Sequence, residues 1–259
     1  LHLLSRRQRQ MCIRDRAYLE NSAEYFPEKC AVTDEKVSYS YSELVKLSSS
    51  VGTALSELIT SGDAVGIYME KCADAVAAFF ATVYAGGFYS VLNTELPQNR
   101  LQTTVSVLNP KVIVTSESLL ETAKEYFSER KIVTFEDLAK SEPDYAKLGE
   151  IRSHKIDTDP LYINFTSGST GTPKGIVVCH RSVIDFIDHF TEIFGIDNND
   201  VIANQAPFDF DVSVKDIYSA VKTGATLVVV PRRMFSAPAE LIDFICDRRI
   251  TVMILSLIH

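Results

Sequence analysis

Thr166-Ser167-Gly168-Ser169-Thr170-Gly171-Thr172-Pro173-Lys174-Gly175 is a run of small, hydroxylated and glycyl residues closed by a single lysine. Glycines at 168, 171 and 175 permit positive φ and close approach of backbone to a ligand, while the hydroxyls and one cation offer donors to oxyanions. The run therefore suggests a phosphate cradle. Its flanks decide the fold class: Leu161-Tyr162-Ile163-Asn164-Phe165 before it and the β-branched Ile176-Val177-Val178 after it both read as strands. A P-loop needs Gly-Lys-Ser/Thr opening a helix, whereas here Lys174 leads into Gly175 and a strand. The plainer alternative is a Ser/Gly/Thr surface turn. Pro173-Lys174-Gly175 after so ordered a series argues against it.

Outward from this loop the pattern alternates. Ser40 and Glu43 make a capping-box pair, and Leu44, Leu47, Val51, Ala54, Leu55 and Leu58 fall on one helical face. Strand Ala64–Met69, a buried helix Cys72–Tyr84 stopped by Gly86-Gly87 and strand Tyr89–Leu92 come next. A helix after Pro97, strand Lys111–Thr115, helix Ser118–Glu129 and strand Lys131–Thr134 complete the first half. Beyond the loop the spacing predicts helix Ser182–Phe194, strand Val201–Gln205, helix Ser213–Lys222, strand Thr226–Val230, helix Ala237–Asp247 and strand Thr251–Ile254. Such β/α alternation implies an α/β fold of two similar subdomains, each a largely parallel sheet covered by helices. The boundaries read from sequence are a first subdomain at 17–140, a charged connector at 141–159 containing Pro143 and Gly149, and a second subdomain at 160–254.

The two ends share a nucleotide signature. Met11-Cys12-Ile13-Arg14-Asp15 fits ATG TGT ATA AGA GAC followed by AG, and the reverse complement of that string translates to Leu-Ser-Leu-Ile-His, which is residues 255–259. With Arg6-Arg7-Gln8-Arg9-Gln10 upstream, residues 1–16 and 255–259 read as translated sequencing-adapter scars, outside fold reasoning. The N-terminal arginines then give no nucleic-acid arm or transit peptide. Removing Arg6, Arg7, Arg9, Arg14, Arg16 and Asp15 leaves 21 basic and 33 acidic residues and moves the net charge from −8 to −12. An acidic body of this kind disfavours general nucleic-acid or anionic-membrane binding.

The 259 residues, 46% hydrophobic, suffice for one or two domains with a substantial core. No apolar run is long enough to span a bilayer and none resembles a secretory segment, so the expected location is cytoplasmic. Cys30, Cys72, Cys179 and Cys246 have no metal-ligand spacing and read as free thiols. His180 and Arg181 lack the partner spacing of a catalytic set. Asp209, Asp211 and Asp216 point in different directions along a helical period, so no metal ligands are assigned.

With its surroundings, the loop resembles the phosphate-binding signature of the adenylate-forming superfamily, which includes acyl-CoA synthetases, luciferases and nonribosomal peptide synthetase adenylation domains. Tyr39-Ser40-Tyr41-Ser42-Glu43-Leu44 and Tyr84-Ala85-Gly86-Gly87-Phe88-Tyr89-Ser90-Val91-Leu92 resemble earlier motifs of the same superfamily. Gln205-Ala206-Pro207-Phe208-Asp209-Phe210-Asp211-Val212-Ser213-Val214-Lys215-Asp216-Ile217-Tyr218 resembles the segment lining the amino-acid pocket in adenylation domains and D-alanine carrier-protein ligases. The likeness runs, in order, through nearly all of residues 17–254.

The resemblance implies ATP-dependent activation of an amino acid as aminoacyl-AMP with release of pyrophosphate, then transfer to the phosphopantetheine thiol of a carrier protein. ATP and Mg²⁺ are the implied cofactors, and Thr166, Ser167, Gly168, Ser169, Thr170, Gly171, Thr172, Lys174 and Gly175 the nucleotide-binding residues, with Lys174 catalytic. It places Asp211 on the substrate ammonium, Phe210 beside the pocket, and Val212 and Lys215 where the side chain is selected. Asp211 has a competing reading as the cap of the helix starting near Ser213. Lys215 is compatible both with selection of an acidic or polar side chain and with an ordinary solvent-facing lysine. The superfamily's later motifs, for adenine, ribose, a Mg²⁺ carboxylate and a second catalytic lysine, have no counterpart here, so a truncated ligase, inactive alone, is expected. An acyl- or aryl-CoA ligase and a noncatalytic nucleotide-binding fragment are the alternatives.

Overall fold

The computed structural model describes residues 14–166 and 173–255. Two compact units emerge: one comprises Leu1–Arg16, Lys46–Glu70 and Asp74–Ile184, the other Ala17–Val45, Lys71–Ala73 and Asp185–His259.

The first unit carries a six-stranded sheet in the order β6-β5-β3-β4-β7-β8. Its strands are β3 (Ala64–Tyr68), β4 (Phe88–Val91), β5 (Val112–Thr115), β6 (Ile132–Thr134), β7 (Pro160–Thr166) and β8 (Lys174–Cys179). All pairings are parallel except β7 with β8. Every residue of β3 is buried, which suits an apolar strand covered on both faces. The helix α3 (Ala73–Tyr84) is buried almost all round, and its close approach to α2 (Tyr41–Ser56) needs Gly52. A Cβ at Gly52 would sit 2.8 Å from Tyr84 Cβ. Gly86 ends α3 with φ +83°, a conformation that costs other residues strain. Packing of Tyr68, Leu92, Leu101, Val105, Ile113, Ala123 and Phe127 forms the core under α4 (Gln98–Leu108) and α5 (Leu120–Tyr126).

The second unit carries a five-stranded sheet in the order β11-β9-β10-β1-β2. Here β1 (Cys30–Thr33), β9 (Val201–Asn204), β10 (Thr226–Val229) and β11 (Val252–Met253) run parallel, and β2 (Ser38–Ser40) pairs antiparallel at the edge. The capping box forms as its pattern predicts: Ser40 N–H donates to Glu43 Oε2 at 2.8 Å and Glu43 N–H to Ser40 Oγ at 3.3 Å. Buried Tyr41 donates to the carbonyls of Ala220 and Ala225, tying the start of α2 to the end of α9 (Val212–Thr223). Gly224 then turns α9 into β10 at φ +75°, with the Phe26 ring 2.5 Å from where a Cβ would lie. Gly224→Ala is accordingly expected to lower stability by about 2 kcal/mol. The readout is a lower denaturant midpoint at unchanged slope; an unchanged midpoint would mean that neither the ring contact nor the left-handed turn constrains this site.

The strand pairing divides the chain differently from the linear boundaries at 17–140, 141–159 and 160–254. Residues 160–184 belong to the first unit, and residues 17–45 to the second. Local periodicity names a strand but not its neighbour in a sheet, and parallel pairing joins segments far apart in sequence. The charged stretch 141–159 holds a helix, α7 (Tyr145–Ser153), after the short α6 (Phe135–Leu138). Asp144 caps α7 by accepting from Lys147 N–H. Its weak apolar pattern hid it, since only Leu148 is buried. The chain's first described helix, α1 (Arg14–Tyr25), also begins inside the stretch read as adapter-derived. Arg16 is buried there, its guanidinium 3.9 Å from the Tyr84 ring centroid and donating to Leu148 O.

Candidate functional site

In the first unit, β7 and β8 form the antiparallel base of the hydroxyl-rich run. Their ladder extends from Pro160 opposite Cys179 to Thr166 opposite Lys174. Thr166 is thus the last residue before the loop and Lys174 opens the returning strand, both exposed. The element is strand, loop, strand, and no helix follows the lysine, which removes the P-loop context. Ser167, Gly168, Ser169, Thr170, Gly171 and Thr172 lie outside the described residues. Gly175 serves a different need from the positive φ expected of it, since it is not among the positive-φ glycines. A Cβ there would come within 3.1 Å of Ile163 Cγ2 and 3.3 Å of the Phe165 ring across the hairpin. A short chain of contacts fixes the far end of β8. Arg181 makes a two-pronged pair with Asp157, at 2.6 and 2.8 Å, and His180, buried at the start of α8 (His180–Phe194), donates its backbone N–H to Asp159 O.

In the second unit, residues 205–211 connect the carboxyl end of β9 to α9. Asp211 stands at the head of α9 yet makes no side-chain capping bond. Ser213 Oγ turns back instead to Phe210 O at 2.7 Å. Asp211, Phe210 and Val212 are all exposed. Lys215 is 8% exposed, so the solvent-facing reading does not hold. Its Nζ donates to Val212 O at 3.0 Å and stands 3.2 Å from Asp216 Oδ1. That second contact is an ion pair without hydrogen-bond alignment, because Asp216 Oδ1 accepts no hydrogen bond.

Asp216 belongs to a buried polar group that sequence reasoning passed over. Asn204 Nδ2 donates to Asp216 Oδ2 at 3.0 Å. Lys71 donates to Asn204 O at 2.8 Å and Val230 O at 3.2 Å, at the carboxyl ends of β9 and β10. Burial pushes the Lys71 ammonium down to about 7, with the Asp216 charge opposing that shift. Burial also raises the Asp216 carboxyl, against the pull of Lys215, Asn204 and Lys71. The available signal was a lysine directly before an unusually apolar helix, where a charged side chain has little water to reach. Among the described residues no group of three or more His, Cys, Asp or Glu side chains converges as a metal cage.

The model of the AMP-binding enzyme family matches residues 19–256. The chain belongs to that family. Its members include nonribosomal peptide synthetases: tyrocidine synthase 1 of Brevibacillus parabrevis is 27% identical over 91% of this chain and 22% of that protein. Syringomycin synthase SyrB1 of Pseudomonas syringae pv. syringae is 30% identical over 89% of this chain and 37% of that protein. This AMP-binding chain thus spans well under half the length of these curated relatives. Its fold is that of nonribosomal peptide synthetase FmoA3 carrying α-methyl-L-serine-AMP, with TM-score 0.80 and 23% identity over 92% of this chain and 26% of that one. VinN in complex with L-aspartate superimposes with TM-score 0.77 at 18% identity, over 92% of this chain and 66% of that one. The AMP-binding chain is an α/β member of the adenylate-forming superfamily, related to adenylation domains. No described helix is long and apolar enough to cross a membrane.

Proposed function

We propose that the protein containing this chain activates an amino acid as its adenylate and passes the acyl group to a carrier-protein thiol. In the first half-reaction a carboxylate oxygen of the amino acid attacks the α-phosphorus of ATP, and the bond to pyrophosphate breaks. In the second, the phosphopantetheine thiolate attacks the acyl carbonyl and AMP leaves. Both steps need alignment and charge stabilisation more than covalent help from the protein. Thr166, Lys174 and the intervening hydroxyls and N–H groups of Ser167, Gly168, Ser169, Thr170, Gly171 and Thr172 would hold the phosphates, with Gly175 keeping the hairpin closed behind them.

The observation that carries the amino-acid reading is the Asp211 carboxylate, exposed at the head of α9 and uncommitted to capping it. A substrate ammonium leaving water needs such a charged partner, and a fatty or aryl acid would not. Nonribosomal peptide synthetases among the relatives support both that substrate class and the carrier partner. The test is pyrophosphate exchange by the full-length protein with amino acids set against their des-amino analogues. Exchange that depends on the amino group is the expected result. Equal or better exchange with the analogues would reassign the protein to acyl or aryl activation.

A further inference from the structure

Asn164 interrupts the apolar run Leu161-Tyr162-Ile163-Asn164-Phe165 in the middle of β7. Asparagine is disfavoured in strands, and an amide taken out of water costs free energy unless new hydrogen bonds replace those to solvent. Here they are not replaced. Asn164 is half-buried, but its Nδ2 is fully buried and has no hydrogen-bond partner among the described residues. Every other buried side-chain polar atom in that state among the described residues is an oxygen. An NH₂ group can only donate, so what Asn164 lacks is an acceptor.

The strand register fixes the face on which the amide stands. Thr166 lies opposite Lys174 and Asn164 opposite Ile176, and directly opposed residues of an antiparallel pair project to the same side. Asn164 therefore shares a face with Thr166 and Lys174, one rung deeper in the hairpin and about 7 Å from them along the strand. Ile163 and Phe165 take the other face, where they close on Gly175. Behind Asn164 on its own face, the Tyr162 ring stacks on that of Tyr89 with centroids 5.8 Å apart. The backbone beneath is held by Ser90 Oγ, which donates to Ile163 O at 2.9 Å. Ile176, the rung partner, has no side-chain acceptor to offer.

We propose that Asn164 is a further positioning residue for the nucleotide, its Nδ2 donating to a phosphate oxygen of ATP held on the face of Thr166 and Lys174. Ionised phosphate oxygens are strong acceptors, and a triphosphate carries them along its length, so one ligand can meet both rungs. The unliganded protein bears the cost of an unmet donor, and bound nucleotide relieves it. A local rule broken in the strand that leads to the loop is what a functional position looks like. This rests on the reading of the β7–β8 hairpin as the phosphate-binding element, and adds to it a donor from the strand itself.

The experiment titrates the full-length protein with adenylyl imidodiphosphate, a slowly hydrolysed ATP analogue, and with adenosine, and records the melting temperature without ligand. Asn164→Leu, similar in size but without a donor, is expected to weaken binding of the analogue by about tenfold while adenosine binding changes less than about twofold. Its unliganded melting temperature should equal or exceed that of wild type, because an unmet buried donor has been removed. Asn164→Asp, which sets a carboxylate beside phosphate, should weaken the analogue further. Asn164→Ala reads the same selective loss should either of these not fold. In pyrophosphate exchange the loss should appear as a raised ATP KM, with amino-acid KM moved less than about twofold. Analogue binding by Asn164→Leu within about twofold of wild type overturns the proposal. Equal loss of analogue and adenosine, or a lowered unliganded melting temperature, also overturns it by making the amide structural. Those results leave the hairpin reading standing where Lys174→Ala slows exchange; unchanged exchange in Lys174→Ala rejects the hairpin reading and this inference with it.

Discussion

Alanine at position 211 is expected to lower kcat/KM for the amino acid on the order of 100-fold in the full-length protein, because a charge pair removed from water loses one partner. The des-amino analogue should be affected little, so the preference for the amino acid collapses. Stability separates this role from helix capping. Loss of a working cap costs ~1 kcal/mol, yet Asp211 makes no capping bond and is exposed, so the melting temperature should hardly move. A preserved substrate preference with a lowered melting temperature would make Asp211 a structural residue and remove the main support for amino-acid activation.

Lys174→Ala should slow adenylate formation by roughly tenfold or more, the order expected when one donor to developing phosphate charge is lost. The position explains why the effect should fall on turnover. Lys174 sits opposite Thr166 at the closed end of the β7–β8 ladder, so its backbone is fixed while its exposed side chain can follow a triphosphate. The measurement is amino-acid-dependent pyrophosphate exchange at saturating ATP, beside Lys174→Arg. An arginine variant should recover part of the rate, since the charge is restored with altered geometry. Unchanged exchange in the alanine variant would show that the lysine points away from the nucleotide throughout the reaction.

Both variants probe residues visible as motif letters, whereas the Lys71 cluster was not visible in that way. Sequence supplies each charge but not its solvent exposure. Lys215 is an ordinary surface lysine until α9 packs and leaves it 8% exposed beside Asp216. In sequence Asp216 reads only as a candidate metal ligand; its partner Asn204 lies on a different strand, and Lys71, which donates to Asn204 O, on a distant connection. Similarly, the glycines differ in ways that spelling hides. Gly86 and Gly224 adopt positive φ, while Gly175 makes room for the facing strand.

Local chemistry in the chain determined the alternation of strands and helices, the capping box at Ser40 and Glu43, the stop at Gly86-Gly87 and the strand on each side of the hydroxyl-rich run. These depend on side-chain period, turn residues and caps, all of which act within a few positions. Tertiary structure alone decided that the β7–β8 hairpin completes the first sheet, that β1 and β2 join the second, and that Lys71, Asn204, Lys215 and Asp216 meet in a buried group. Parallel pairing and the desolvation of charge are set by distant segments closing over one another, so no local pattern carries them.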